Sequence, residues 1–258
     1  MVSTVFPLYK TIDNTRFSIE IAKTNAHRQA VYAMRYQIFN TELQQGLQAS
    51  VATALDQDQY DAYCEQLVVI NDQGRIVGTC RLLPYALVKS SIGLYSENEF
   101  NLLNIYQADL PLLEVGRVCV DSNYRNRSVI NLLWLGVVNY MHEHQLRYAC
   151  GCASLDKKHD GAFASMIYQY FKNNAKLLCE DFQISAHDKN KVPNFNAQLD
   201  INNVKNVKRK IPHLLRAYFF LNAKIGSEPA YDPEFGVIDF FVFLDLATMS
   251  KSGNFKVV

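Results

Sequence analysis

The chain has 258 residues, 49% hydrophobic and 20% charged, which excludes a disordered chain or a coiled coil and allows a sizeable core. Lys plus Arg is 26 and Asp plus Glu is 25, so the net charge of +1 excludes a polyelectrolyte whose main partner is bulk nucleic acid. No apolar run reaches the roughly 18 to 20 residues of a membrane span, and the longest, Val129 to Met141, is interrupted by Asn131, Gly136 and Asn139.

Met1 to Lys10 lacks the basic start, apolar centre and small-residue cleavage site of a secretory leader. The expected location is therefore the cytoplasm, with peripheral contact at the inner membrane left open. Alternation of Phe17, Ile19 and Ile21 predicts a strand over 17–23. Asn25 is expected to cap a helix over 26–39, whose Val31, Met34, Tyr36 and Ile38 fall mainly on one side. The polar stretch from Thr41 to Tyr60 reads as mobile. Residues 65–70 and 76–83, joined by Asp72-Gln-Gly74, predict a hairpin that Pro84 ends. Residues 84–111 read as an insertion with a short helix near 97–103.

A strand over 112–120 leads directly into Asp121-Ser-Asn-Tyr-Arg-Asn-Arg127. Ser128 is expected to cap a helix to Glu143 that is apolar nearly all round and therefore buried. A strand over 147–153, a helix over 161–171, a polar stretch over 180–210, a helix over 212–223 opened by Pro212 and a last strand over 237–246 complete the order. Strands and helices in this order predict a mixed α/β (α+β) sheet flanked by helices, as one domain over 1–258. Its core is expected at about 17–175 and a C-terminal extension at about 176–258.

The six cysteines, Cys64, Cys80, Cys119, Cys150, Cys152 and Cys179, form no CxxC pair and read as free thiols, several in apolar runs. The six histidines are scattered, and neither a metal site nor a bound cofactor is expected. Charges inside apolar segments are more informative, because a core charge is costly unless paired. Glu114 and Arg117 lie in one apolar strand, Arg81 at the end of another and Arg35 on the first helix, while Asp56, Asp58 and Asp61 cluster nearby in sequence. These charges fit either a structural ion-pair network or a polar pocket for a charged small molecule. The turn before the helix at Ser128, with Arg125 and Arg127, suits an anion such as a phosphate. The chain has no GxSxG, GxGxxG or GxxxxGK motif, which gives a serine hydrolase, a dinucleotide enzyme or a kinase little support.

The order of elements resembles the GNAT superfamily of N-acyltransferases, whose donor-binding turn follows an Arg/Gln-x-x-Gly-x-Gly/Ala pattern between a central strand and a helix. Here that turn is Arg125-Asn-Arg-Ser128-Val-Ile130, and the loss of both small residues favours a carrier protein over free coenzyme A. Acyl-homoserine-lactone synthases are similar at Arg35, Phe39, Asp58-Gln-Tyr-Asp61, Val77-Gly-Thr-Cys-Arg-Leu-Leu-Pro84 and Glu114-x-x-Arg117. Ornithine-lipid N-acyltransferases are closer. They add Gly93-Leu-Tyr-Ser-Glu97-x-Glu-Phe100, Glu114 to Val120 and Leu132-Leu-Trp134. They also add Tyr148-Ala-Cys-Gly151-Cys-Ala-Ser154 and Pro229-Ala-Tyr-Asp232-Pro-Glu-Phe235-Gly followed by Asp239. This resemblance covers roughly residues 17 to 246.

The resemblance implies transfer of a long 3-hydroxyacyl chain from acyl carrier protein to the α-amine of ornithine, giving lyso-ornithine lipid. Glu114 is then the expected proton acceptor, with Arg117 beside it. A backbone N–H near Cys119 or Val120 is expected to hold the thioester oxygen. Regular pleating puts Glu114 and Arg117 on opposite faces, so a bulge is expected near Gly116. Arg35, Arg81, Asp58 and Asp61 are candidates for the acceptor's charged groups, their individual roles left open. Arg125, Arg127 and Ser128 are expected at the donor. The acidic carrier protein needs a basic face, for which Arg125, Arg127, Lys157, Lys158, Lys205, Lys208, Arg209 and Lys210 are candidates. Synthesis of an acyl-homoserine lactone or another N-acyl amino acid, and a non-catalytic module that binds lipid or carrier protein, remain the alternatives.

Overall fold

The computed structural model describes residues 6–125, 128–156, 158–199 and 204–249, with backbone alone at 128, 204–206 and 213–214. In chain order the strands and helices begin with β1 (Leu8–Ile12), β2 (Thr15–Ile21), α1 (Asn25–Tyr36), β3 (Glu65–Ile70) and β4 (Ile76–Pro84). Then come β5 (Phe100–Asn101), α2 (Leu103–Gln107), β6 (Leu112–Val120), α3 (Ser128–Glu143), β7 (Tyr148–Leu155) and α4 (Gly161–Lys172). The last are β8 (Ser185–Ala186), α5 (Val204–Lys210), α6 (His213–Phe220), β9 (Lys224–Ile225), β10 (Ala230–Asp232) and β11 (Val237–Asp245). The expected mixed α/β class is what the chain adopts. Its contacts divide it into two units, the first holding residues 6–92 and 111–147, the second 93–110 and 148–249.

In the first unit β1, β2, β3, β4 and β6 pair antiparallel in that order. Strand β3 is buried at every position after Glu65, because both faces of the sheet are covered. Val68 and Ile70 point toward α1, where they pack with Ala22, Val31 and Tyr32. Leu67, of opposite parity, meets α3 at Gly136, together with Ile19. Gly74 closes the β3–β4 hairpin with φ +74, the left-handed conformation glycine takes without strain. Strand β1 has no counterpart among the predicted elements. Only Leu8 of its five residues is buried, so it shows no alternating apolar face to read.

Several boundaries differ from expectation. Thr24, not Asn25, caps α1, accepting a hydrogen bond from the His27 N–H at 3.1 Å. The Thr41–Tyr60 stretch is ordered: α1 runs into a π-helical turn over Gln37–Glu42, and 3₁₀ turns follow at Gln48–Ala52 and Gln59–Ala62. The short helix expected over 97–103 is instead a 3₁₀ turn at Tyr95–Asn98 followed by α2. The polar 180–210 segment contains β8 and α5.

The second unit is built on β7, β11 and β10, paired antiparallel, with β9 also on β11. Eight of the nine β11 positions are buried, since this ladder too is covered on both faces. Phe240 packs edge-on against Phe171 of α4 at 5.4 Å, and Phe241 meets Phe100 of β5 at 5.7 Å. All six cysteines are free, and only Cys152 is not fully buried. Among the described residues, no helix is long and apolar enough to cross a membrane.

Gly136 tests the packing of α3. A Cβ there would stand 2.6 Å from Leu67 Cδ2 and 2.8 Å from Ile19 Cγ2. Gly136→Val is expected to lower the unfolding free energy by about 1–3 kcal/mol through overpacking, read by urea denaturation.

Candidate active site

Strand β6 carries the expected irregularity. Thr79 of β4 pairs with Cys119, but Arg81 pairs with Gly116, so Arg117 and Val118 together oppose Cys80. The extra residue is a β-bulge. Gly116 is not the residue that bends; Arg117 takes φ +50, a conformation rare for a residue with a side chain. Burial along the strand is broken only at Gly116, Arg117 and Val118. Glu114, opposite Leu83, is 4% exposed.

What holds Arg117 in place is a network of three guanidiniums and three carboxylates. Arg117 donates to Asp58 at 2.9 Å and to Asp56 at 3.4 Å. Arg81 grips Asp58 at 2.6 and 2.7 Å. Arg35, with no exposed surface, makes a two-pronged bond to Asp61 at 2.8 and 3.1 Å and another to Asp56 at 2.7 Å. Asp61 also accepts from Gln66 Nε2 at 2.8 Å and from the Asp58 N–H at 2.9 Å, closing a capping box around the 3₁₀ turn. The rings of Tyr32 and Tyr60 lie 5.4 and 5.5 Å from Arg35 and Arg81.

Burial by itself would raise the Asp58 carboxyl, but Arg81 and then Arg117 outweigh it and hold the group at about 2. The Cys64 and Cys119 thiols, in contrast, are each pushed up to about 12 by burial, which keeps them protonated and poor nucleophiles. Transfer through a cysteine thioester therefore has no support at either position.

The expected site residues fall into two sets. Arg35, Asp58, Asp61, Arg81 and Arg117 come together as one ion-paired cluster, and Asp56 completes it. Cys119 and Val120 follow the bulge. Arg125 Nε donates to the Val120 carbonyl at 2.9 Å, and its guanidinium pairs with Glu42 of the π-helical turn. The turn after β6 is also fastened by Asp121, which pairs with Arg75 and accepts from the Asn123 N–H at 2.9 Å. Asn71 Nδ2 donates to Tyr124 Oη at 2.9 Å in the same region. Arg127 lies outside the described residues, as do the side chain of Ser128 and, among the basic candidates, Lys157 and the Lys205 side chain. Lys158 pairs with Asp156, and Lys208, Arg209 and Lys210 are exposed at the end of α5.

Residues 34–135 match the family model described as an acetyltransferase (GNAT) domain, a span that takes in the network, the bulged strand and the turn that follows it. The chain is a GNAT-fold acyltransferase. Similarity to named proteins runs well beyond that span. A Brucella abortus (strain 2308) protein named L-ornithine N(alpha)-acyltransferase is 27% identical over 249 residues, covering 90% of this chain and 85% of its own. One of the same name from Agrobacterium fabrum (strain C58) is 26% identical over 243 residues, covering 89% and 81%. Among solved structures, FeeM, an N-acyl amino acid synthase from uncultured soil microbes, is 12% identical with a TM-score of 0.48 over 91% of this chain and 93% of that one.

Two experiments probe the acyltransferase's network. Arg35→Met takes the two-pronged partner from buried Asp61 and leaves Asp56 with Arg117 alone, and is expected to cost about 3–5 kcal/mol in urea denaturation. The Asp58 pKa is depressed in the folded state, so its contribution is complete above the unfolded pKa near 3.9 and is lost as pH falls toward 2. Acid titration is expected to remove about 2 kcal/mol of stability across that window. The loss should be absent in Asp58→Asn.

Proposed function

We propose that this acyltransferase moves a long-chain 3-hydroxyacyl group from acyl carrier protein to the α-amine of L-ornithine, giving lyso-ornithine lipid. One observation carries the reading. Matches to proteins named L-ornithine N(alpha)-acyltransferase span 89–91% of the chain, where the GNAT match alone stops at residue 135.

The chemistry required is aminolysis of a thioester. The α-ammonium must lose a proton before its nitrogen can attack, and Glu114, the carboxylate on the bulged strand, is assigned to take it, directly or through one water. Nitrogen then bonds to the carbonyl carbon, and the carbonyl oxygen gains negative charge. The bulge leaves one residue of β6 out of the ladder with β4. It lies just before Cys119 and Val120, the stretch assigned to hold that oxygen through a backbone N–H. The nitrogen loses its second proton as collapse breaks the carbon–sulfur bond, giving an amide and a thiolate that takes up this proton to leave as the thiol, while the first proton passes from Glu114 to water.

Arg117 acts in this reading by holding the bulge, through Asp56 and Asp58. Arg125, tied to Val120 and Glu42, is assigned to the donor's phosphopantetheine or its carrier. Arg127 and Ser128 belong to the same assignment. The carrier-protein donor rests on the loss of both small residues at Ser128 and Ile130, which removes the close backbone approach that a nucleotide pyrophosphate uses.

The test is an assay with acyl-acyl carrier protein and acyl-coenzyme A, each offered ornithine, lysine or S-adenosylmethionine, with products weighed by mass spectrometry. Acylated ornithine made from the carrier-protein donor is expected. A lactone formed from S-adenosylmethionine with ornithine untouched would replace this reading with a signal-molecule synthase. Glu114→Gln is expected to lower kcat by about 10²-fold or more while the melting temperature stays near that of the wild type. Wild-type turnover by this variant would remove Glu114 as the base.

A further inference from the structure

The second unit carries a basic stretch that the acyl-transfer chemistry above does not use. Residues 201–227 hold six of the chain's 26 Lys and Arg and none of its 25 Asp and Glu. The whole chain has a net charge of only +1, so this is a local excess and not a share of a general one. The stretch contains α5 and α6, both in the second unit.

Each helix is anchored on one side and exposed on the other. Val207 and Ile211 are buried and fix α5 and the turn after it, while Lys208, Arg209 and Lys210 are all exposed. On α6, Leu215 and Tyr218 are buried, as is Leu221 at its end. Phe219 packs edge-on against Phe171 of α4, with ring centroids 5.1 Å apart. A helix turns about 100° per residue, which carries the next side chain, Phe220, away from that contact. Arg216 and Phe220, four positions apart, share the outer side of α6, and both are exposed. Phe220 is 56% exposed, a large aromatic ring left in water on the same side as a guanidinium.

We propose that the outer face of α5 and α6 docks on a bilayer that carries anionic lipid. Lys208, Arg209, Lys210 and Arg216 meet the headgroups, and Phe220 enters the boundary with the acyl chains. Near such a surface each Lys or Arg strengthens binding by about 5-fold. A folded acidic protein would have to offer Phe220 a matching pocket, whereas a fluid bilayer takes an aromatic ring wherever it lands. The choice of a bilayer over the carrier protein also rests on the reading above, whose product is an amphiphile.

The test is flotation of the full chain with vesicles of phosphatidylcholine alone or of phosphatidylcholine with phosphatidylglycerol, over a range of salt. Binding to the anionic vesicles alone is expected, weakening as salt rises. Joint replacement Lys208→Gln, Arg209→Gln and Lys210→Gln is expected to lower it by about 30-fold or more. Phe220→Ala is expected to lower it by about 10-fold. Phe220→Trp gives a second readout: its added fluorescence is expected to shift to the blue on anionic vesicles and not on neutral ones. No binding, equal binding to both vesicles, or anionic binding that the triple variant retains overturns the proposal. A triple variant that retains vesicle binding but raises KM for acyl-acyl carrier protein assigns the face to the carrier instead. Flotation needs no turnover, so a failure of ornithine acylation leaves this result decided on its own.

Discussion

Burying charge is the constraint on which the first unit depends. Arg35 and Asp61 have no exposed side-chain surface, and ions so placed are tolerated only when each finds its complement. Meeting that condition ties Asp56, Asp58 and Asp61, in the segment after α1, to arginines of α1, β4 and β6, so a run of polar residues is held in place. The same condition fixes the backbone of Arg117. A left-handed residue costs on the order of 1–3 kcal/mol, and here the bonds from its guanidinium to Asp56 and Asp58 hold it there. The bulge, and with it the setting of Glu114 on β6, follows from direct ion pairs to residues about sixty positions earlier in the chain.

Much of this was legible in the chain. The β3–β4 hairpin announces itself by alternation around a glycine turn, and β6, its turn and α3 by an apolar strand that stops at Asp121. The need for a bulge followed from asking how Glu114 and Arg117 could share a face, though its pivot is Arg117 and not the neighbouring glycine. The ordering of Thr41 to Tyr60 was not legible, because local polarity is read as solvent exposure. The partners that desolvate Asp56, Asp58 and Asp61 come from α1, β4 and β6. Strands β9 and β10, of two and three residues, are too short to show a period.

The buried carboxylates of the second unit, Glu99, Asp232 and Asp239, were within reach of the same reasoning. Asp239 interrupts an apolar strand just as Glu114 does, and Glu99 precedes a buried Phe100. What the sequence lacked was the register of β7 and β10 on β11, which alone shows that Cys152, Asp232 and Asp239 share a face. Sheets covered on both sides tolerate charged residues only where their neighbours answer them.

The bulge also bears on how this strand can change. Between Glu114 and Val120 the residues facing β4 are set by one extra position, Arg117 and Val118 opposing Cys80. Replacing a side chain there alters one contact. Removing Arg117 would leave Val118 alone opposite Cys80, with Cys119 still on Thr79 and Val120 still on Gly78. Cys119 and Val120 would keep their faces, and the turn fastened through Val120 and Arg125 would leave from the same side. What a deletion takes away is the local bend and the guanidinium that reaches Asp56 and Asp58, so the extra residue serves the ion-pair network and not the register of the strand.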